Sequence, residues 1–112
     1  MDQVVLLYTT WPDAASAETA GRQAVEARAC ACVNVLAPMT SVYRWNGAVE
    51  TARETPMIVK TTAAAAGRCR DLLIRLHPYD TPAVVALPVD GAASSPAFMA
   101  WILEETAPPD RR

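Results

Sequence analysis

Histidine is almost absent from this chain. His77 is the only one in 112 residues. A tight transition-metal site usually draws on several imidazoles or thiolates, and no local spacing of Ser, Cys and His suggests a nucleophile with its base. Cysteine is scarce as well. Cys30, Cys32 and Cys69 make an odd number, which suits reduced thiols better than a disulfide framework and predicts a cytoplasmic setting. Long apolar runs are missing. The run from Val4 to Tyr8 is too short for a signal peptide or a membrane span, and no basic segment precedes it. Excess basic charge is missing too. The formal net charge is −2, and without a basic stripe nucleic acid is not an expected partner. The stretch Thr55 to Thr61 offers no aromatic ring on which a base could stack.

What the chain does have is alanine and extended segments. Hydrophobic residues make up 52%, enough for one domain, but Ala supplies much of that share and buries little area. A thin core points to assembly as a second source of burial. The organising stretch is Ala31 to Thr62, two extended runs that meet at Trp45-Asn46-Gly47-Ala48. Asn-Gly favours the positive φ angles of a two-residue type I′ turn. A tight turn there sets Trp45 opposite Ala48, Tyr43 opposite Glu50 and Val35 opposite Ile58. Arms of roughly 14 residues at about 3.3 Å each would span about 45 Å. A compact chain of this length has a radius of gyration of about 13 Å. The ribbon should therefore project beyond its domain and meet another subunit. Pro38 and Pro56 fall nearly opposite one another, which predicts a bulge or bend.

The remaining elements follow from local signals. Val4–Tyr8 reads as a strand. Pro12 and Asp13 open a helix reaching about Arg28, with Ala17, Ala20, Ala24 and Val25 on its apolar face and a Glu18–Arg22 pair outside. Thr61 or Thr62 caps a second helix running to about Leu76, with Ala66, Cys69, Leu72, Leu73 and Leu76 inward and an Asp71–Arg75 pair outside. Ala83–Val89 is a further strand. Ser95 and Pro96 open a last helix carrying Phe98, Trp101 and Ile102 on one face. The fold class expected is α+β: a ferredoxin-like β-α-β-β-α-β sandwich with an extended hairpin between its second and third strands and a short C-terminal helix. Residues 1–106 form a single domain in this reading, and residues 107–112 a flexible tail. Both main helices cover one sheet face, so the other face is bare and apolar, again favouring an oligomer.

Several side chains are candidates for chemistry. His77 and Cys32 are the candidate metal ligands, one borderline and one soft. The plainer roles are a helix-terminal imidazole favoured by the dipole and a small buried hydrophobe. Cys30 could add a soft donor on the side of Cys32, and Cys69 belongs to the core. Asn34, Trp45, Glu50, Glu54, Lys60 and Tyr79 are candidates for a pocket between subunits. Glu50 and Glu54 share one side of the ribbon, and Lys60 needs a partner wherever it is buried. The plainer roles here are a solvated arm with Glu against Arg44 or Arg53 and tryptophans that serve as packing anchors. An anion-binding loop after the first strand would call for Arg, and Thr9-Thr10-Trp11-Pro12 has none, so catalysis is not expected.

These segments resemble a known family in sequence order: Ala31-Cys32-Val33-Asn34; Ser41 to Glu50 with Glu54; Lys60-Thr61-Thr62; His77-Pro78-Tyr79-Asp80-Thr81-Pro82; Ala86-Leu87-Pro88; and Trp101-Ile102. The chain is similar, from about Val4 to Glu105, to the CutA divalent-cation-tolerance proteins. The resemblance implies a ferredoxin-like homotrimer with sheet pairing between subunits through the long hairpin. It also implies tolerance of copper or other divalent ions and no catalytic reaction. Tyr8-Thr9-Thr10 lacks a cysteine that some members carry and that has been linked to copper. Leu76 stands where some members have a second histidine, and Ala83 replaces a frequent acidic residue. The function expected is a trimeric, copper- or divalent-metal-binding tolerance protein. The alternative is a trimeric small-molecule sensor with ligand clefts between subunits.

Overall fold

The computed structural model describes residues 2–108. Its strands are β1 (Val4–Trp11), β2 (Cys32–Val35), β3 (Met39–Trp45), β4 (Ala48–Thr62) and β5 (Val84–Pro88). Its helices are α1 (Ala14–Glu26), α2 (Ala63–Leu76) and α3 (Pro96–Thr106), with one 3-10 turn at Gly91–Ala93. The antiparallel sheet has the order β2-β4-β1-β5, and β3 continues along β4. This is the expected ferredoxin-like arrangement. β1 runs three residues beyond the expected end at Tyr8, because Thr9, Thr10 and Trp11 pair with Met57, Pro56 and Thr55.

The ribbon projects. The molecule measures 51 × 29 × 23 Å, with a radius of gyration of 14.9 Å. At the tip Asn46 and Gly47 both have positive φ, 49° and 79°, as a type I′ turn requires. Trp45 faces Ala48 and Tyr43 faces Glu50. Farther down, Val35 faces Met57 rather than Ile58. Leu36, Ala37 and Pro38 on one arm oppose only Thr55 and Pro56 on the other, and the Leu36 amide donates to the Pro56 carbonyl at 2.9 Å. That extra residue is a bulge. It splits the first arm into β2 and β3 and shifts pairing below it by one residue.

β1 alternates between two clusters. Leu7 and Trp11 face α1 and α2 with Met57, Val59, Cys69 and Leu73, whereas Val4 faces α3 with Ala31 and Ile102. Trp11 is wholly buried. Its indole N–H donates to Thr9 Oγ1 (2.7 Å), and the Thr9 hydroxyl donates to the Met57 carbonyl (2.8 Å). On the α3 side, Leu6, Tyr8 and Ile58 are half-buried, while Val85 and Leu87 opposite β1 are exposed. The expected bare apolar face is therefore present in the single chain.

Capping follows the sequence signals. Asp13 accepts from the Ser16 amide, Thr62 from Ala65 and Ser95 from Phe98. Pro12 precedes the Asp13 cap and so lies outside α1. α1 stops at Glu26, two residues early, because Arg28 takes a left-handed φ of 58°. The Arg28 guanidinium donates to the carbonyls of Ala107 (2.7 Å) and Glu104 (2.9 Å), tying the end of α3 to this turn. Ala107, expected to begin a loose tail, is thus anchored; residues 109–112 of that expected tail lie outside the described residues. Val25 is exposed, and Gly21 takes its place in the α1 packing face. Glu18 and Arg22 pair as expected (3.5 Å). Asp71 pairs with neighbouring Arg70 (2.9 Å) instead of Arg75.

Gly21 allows α1 to approach the sheet. A Cβ there would lie 2.6 Å from Val33 Cγ2 and 3.0 Å from Met57 Sδ. On helix propensity alone, Gly21→Ala should stabilise by about 1 kcal/mol. We expect the opposite sign, a loss of about 1–3 kcal/mol from overpacking, read as a lower thermal midpoint.

Candidate functional site

His77 follows the last turn of α2, where Pro78 prevents further helix. Its ring is buried against Trp11, with centroids 4.2 Å apart, and Tyr79 lies at 4.8 Å on a tilted plane. The Tyr79 amide donates to Nδ1 (3.1 Å). Nδ1 is therefore the acceptor nitrogen, and the proton sits on Nε2, which donates to the Thr10 carbonyl (2.7 Å). Both ring nitrogens are engaged, so no lone pair faces outward for an ion. The imidazole does not serve its own helix's last carbonyls. It fastens the end of α2 to the end of β1, where the ribbon leaves the body.

Cys32, Asn34 and Lys60 share the sheet face opposite α1 and α2. Cys32 pairs with Lys60 and Asn34 with Ile58, while the flanking Val59 and Thr61 are buried toward the helices. Lys60, half-buried, meets its need for a partner with a ring: Nζ lies 5.2 Å from the Phe98 centroid. Cys30 does not join Cys32. It enters the core on the helix side, in the same buried cluster as Cys69. Cys30 precedes β2, and a bend at Ala31 separates it from Cys32, which is why period-two counting puts it on the wrong side.

The ribbon carries the carboxylates. Tyr43 sits opposite Glu50; desolvation first, then the charge of Glu50 and, more weakly, that of Glu54, raise the phenol above its ordinary pKa. Tyr79 is likewise raised, by desolvation first and then by Glu54, Tyr43 and Asp13. Glu54 lies at the base of the ribbon, opposite Met39, whereas Tyr43 and Glu50 lie farther out, two residues from the Trp45–Ala48 pair that closes the turn. Neither Glu50 nor Glu54 pairs with Arg44 or Arg53; Arg53 instead reaches Thr40 Oγ1 at 3.5 Å. Trp45, 51% exposed, stands at the tip.

The six pocket candidates therefore lie in three places: Asn34 and Lys60 on the sheet face, Glu54 and Tyr79 about the ribbon base, and Glu50 and Trp45 on the outer part of the ribbon. Two surface clefts of about 410 and 570 Å³ are lined by none of the six. Among the described residues, no group of three or more His, Cys, Asp or Glu side chains is placed to hold a metal ion. Hairpin register placed Tyr43 opposite Glu50, as found; sequence reasoning missed Phe98 as the partner of Lys60, and nothing local could have found it.

His77→Ala would leave the buried Thr10 carbonyl unpaired and remove the Trp11 stack. We expect a loss of about 2–3 kcal/mol, read as a lower urea midpoint. His77→Gln, whose amide N–H can reach the same carbonyl, should recover part of it.

Comparison with known proteins agrees with this geometry. The family model described as CutA1 divalent ion tolerance protein matches residues 5–105. The divalent-cation tolerance protein CutA of Thermus thermophilus is 39% identical over 106 residues, covering 95% of this chain and 99% of the relative. Mouse protein CutA is 32% identical over 99 residues, and the match spans 88% of this chain but only 55% of the mouse protein. Among solved structures, CutA from Xylella fastidiosa superposes with a TM-score of 0.89 at 36% identity, covering 94% of this chain and 99% of that one. The periplasmic divalent cation tolerance protein CutA of Archaeoglobus fulgidus gives 0.87 at 33% identity, covering 93% and 99%. Several of these names denote tolerance of divalent cations, and none denotes a reaction. With a match that runs from β1 to the last turn of α3, this chain belongs to the CutA1 divalent ion tolerance family.

Proposed function

We propose that the protein serves divalent-cation tolerance as a homotrimer, with each ribbon lying along a neighbouring subunit and copper or another divalent ion bound where subunits meet. One observation carries this reading. Beyond Thr55, which faces Trp11, β4 pairs only with β3, so Ala48–Glu54 present an open backbone edge. Val49 on that segment and Val42 on the adjoining β3 are 65% and 68% exposed. An open edge with exposed apolar side chains favours strand addition by another chain. Val85 and Leu87 on the bare sheet face favour the same outcome.

Among the described residues no group of three or more His, Cys, Asp or Glu side chains is placed to hold an ion, so the divalent ion in this reading is completed across an interface. Glu50 and Glu54 supply oxygen donors on the ribbon, and Cys32 supplies a partly exposed sulfur on the sheet face. His77 would join only by releasing the Tyr79 amide. The three free thiols favour a reducing, cytoplasmic setting. Among the described residues, no helix is long and apolar enough to cross a membrane.

Light scattering at micromolar concentration should return about three times the 12.0 kDa chain mass; a single-chain mass would overturn the trimer. Calorimetry with Cu(II) and Zn(II) should show binding to the assembled protein. Replacing both carboxylates, Glu50→Gln with Glu54→Gln, should weaken it by about tenfold, near 1.4 kcal/mol. Unchanged affinity would remove the ribbon carboxylates from the site.

A further inference from the structure

We propose that the cleft between the start of β1 and helix α3 binds a small amphipathic amine, its ammonium held by Asp2 and Asp90 and its apolar body lying along α3. The cleft holds about 570 Å³, a size usual for small-molecule sites. It lies where β1 begins and β5 ends, whereas the ribbon leaves the body where β1 ends. The length of β1, roughly 25 Å, separates the two regions, so the cleft stands apart from the ribbon reading.

The polar part of the cleft is acidic. Asp2 and Asp90 line it, and no Lys, Arg or His does. Among the described residues neither carboxylate has an ion-pair partner. Each commits one oxygen to the backbone. Asp2 Oδ1 accepts from the amides of Gln3 (2.9 Å) and Ala64 (3.3 Å), and Asp90 Oδ1 accepts from the Ala92 amide (3.1 Å). The second oxygen of each has no donor among the described residues and is left for a ligand. Strand pairing carries both carboxylates to one end of the cleft. The Val89 amide donates to the Val4 carbonyl (3.2 Å), and the Gln3 side-chain amide donates to the Val89 carbonyl (3.3 Å).

The remaining lining is apolar. Val4 is buried with Ile102, and Val89 and Met99 pack against that pair. Pro96, Met99, Ala100 and Leu103 continue the wall along α3; at spacings of three, four and seven they share one helix face. The walls are tied down before any ligand arrives. The Ser94 hydroxyl donates to the Asp90 carbonyl (2.7 Å), and the Ala63 amide donates to the Gln3 carbonyl (2.7 Å). Binding therefore orders little chain, which removes a common cost of association.

This lining selects among ligands. A purely apolar molecule would desolvate the carboxylates and give them no donor in return. A calcium ion takes roughly six to eight oxygens, and it would leave the apolar wall uncovered. A positive N–H donor at one end and a hydrocarbon body at the other meets both halves of the cleft, because charge-assisted hydrogen bonds to carboxylates are the stronger kind.

NMR titration of the assembled, full-length protein with 2-phenylethylamine tests the site, with 2-phenylethanol as the uncharged control. The amine should shift the amides of Val4, Val89 and Met99 with a Kd below about 1 mM. The alcohol should bind about tenfold more weakly or not at all. Asp2→Asn and Asp90→Asn each keep an oxygen for the backbone amides and remove only the charge. Each should weaken the amine by about fivefold to tenfold and leave the alcohol unaffected. Ala100→Trp, at an exposed helix position, fills the cleft and should abolish amine binding. Calcium should not displace the amine. The absence of these shifts at about 10 mM amine would overturn the proposal, as would equal binding of amine and alcohol. Unchanged affinity in both Asn variants, retention of the amine by Ala100→Trp, or its displacement by equimolar calcium would overturn it as well. The comparison of amine with alcohol uses wild type alone, so it decides the matter whatever the variants do.

Discussion

Backbone pairing along β4 is the constraint on which the rest of this structure depends. Over its inner half, from Thr55 to Thr62, β4 is flanked by β1 on one side and, along much of that length, by β2 on the other. Over its outer half it has β3 alone. Main-chain N–H and C=O groups must be paired wherever water is excluded, so the inner half can be buried and the outer half must project or be covered. The elongated shape, the exposed ribbon and the open edge all follow from this difference between the two halves of one strand.

The body compensates for a core poor in large side chains by close approach and by complete hydrogen bonding. Gly21 brings α1 onto Val33 and Met57. Thr9, Thr61, Thr62 and His77 are buried polar residues, and none leaves a buried side-chain polar atom unpaired among the described residues. Such satisfied polar contacts specify geometry as well as stability. The contact of His77 with Thr10 and Trp11 joins the end of α2 to the end of β1. It stiffens the joint from which the ribbon extends, and it occupies the one imidazole that the sequence offers.

The sheet also partitions the chemistry. Cys30 and Cys69 lie in the apolar layer beneath the helices, whereas Cys32 lies on the opposite face beside a lysine. Oxygen donors gather on the ribbon, outside both layers. Soft and hard donors are therefore kept apart within one chain. Cys30 and Cys69 are buried, Cys32 is partly exposed on the sheet face, and the carboxylates of Glu50 and Glu54 stand on the ribbon.

Much of the architecture was legible in local chemistry. The Asn46-Gly47 turn, the caps at Thr62 and Ser95, the apolar face of α2 and the overlong ribbon each depend on neighbours a few residues apart, so periodicity and turn preference sufficed. The pairing of Val35 with Met57 needed the bulge at Leu36–Pro38, whose presence two prolines announced but whose offset they did not. The side taken by Cys30 followed from the bend at Ala31 that separates it from β2, and the early end of α1 from a left-handed Arg28, a conformation that non-glycine residues seldom adopt and whose side chain is held by distant carbonyls at the end of α3. The partners of Lys60, His77 and Cys69 came from elements far away in the chain. Residue order alone thus determined which segments are strands, helices and turns, because those are short-range energies. Only the folded chain decided which side chains meet, because one inserted residue or one reversed φ moves everything beyond it to another face.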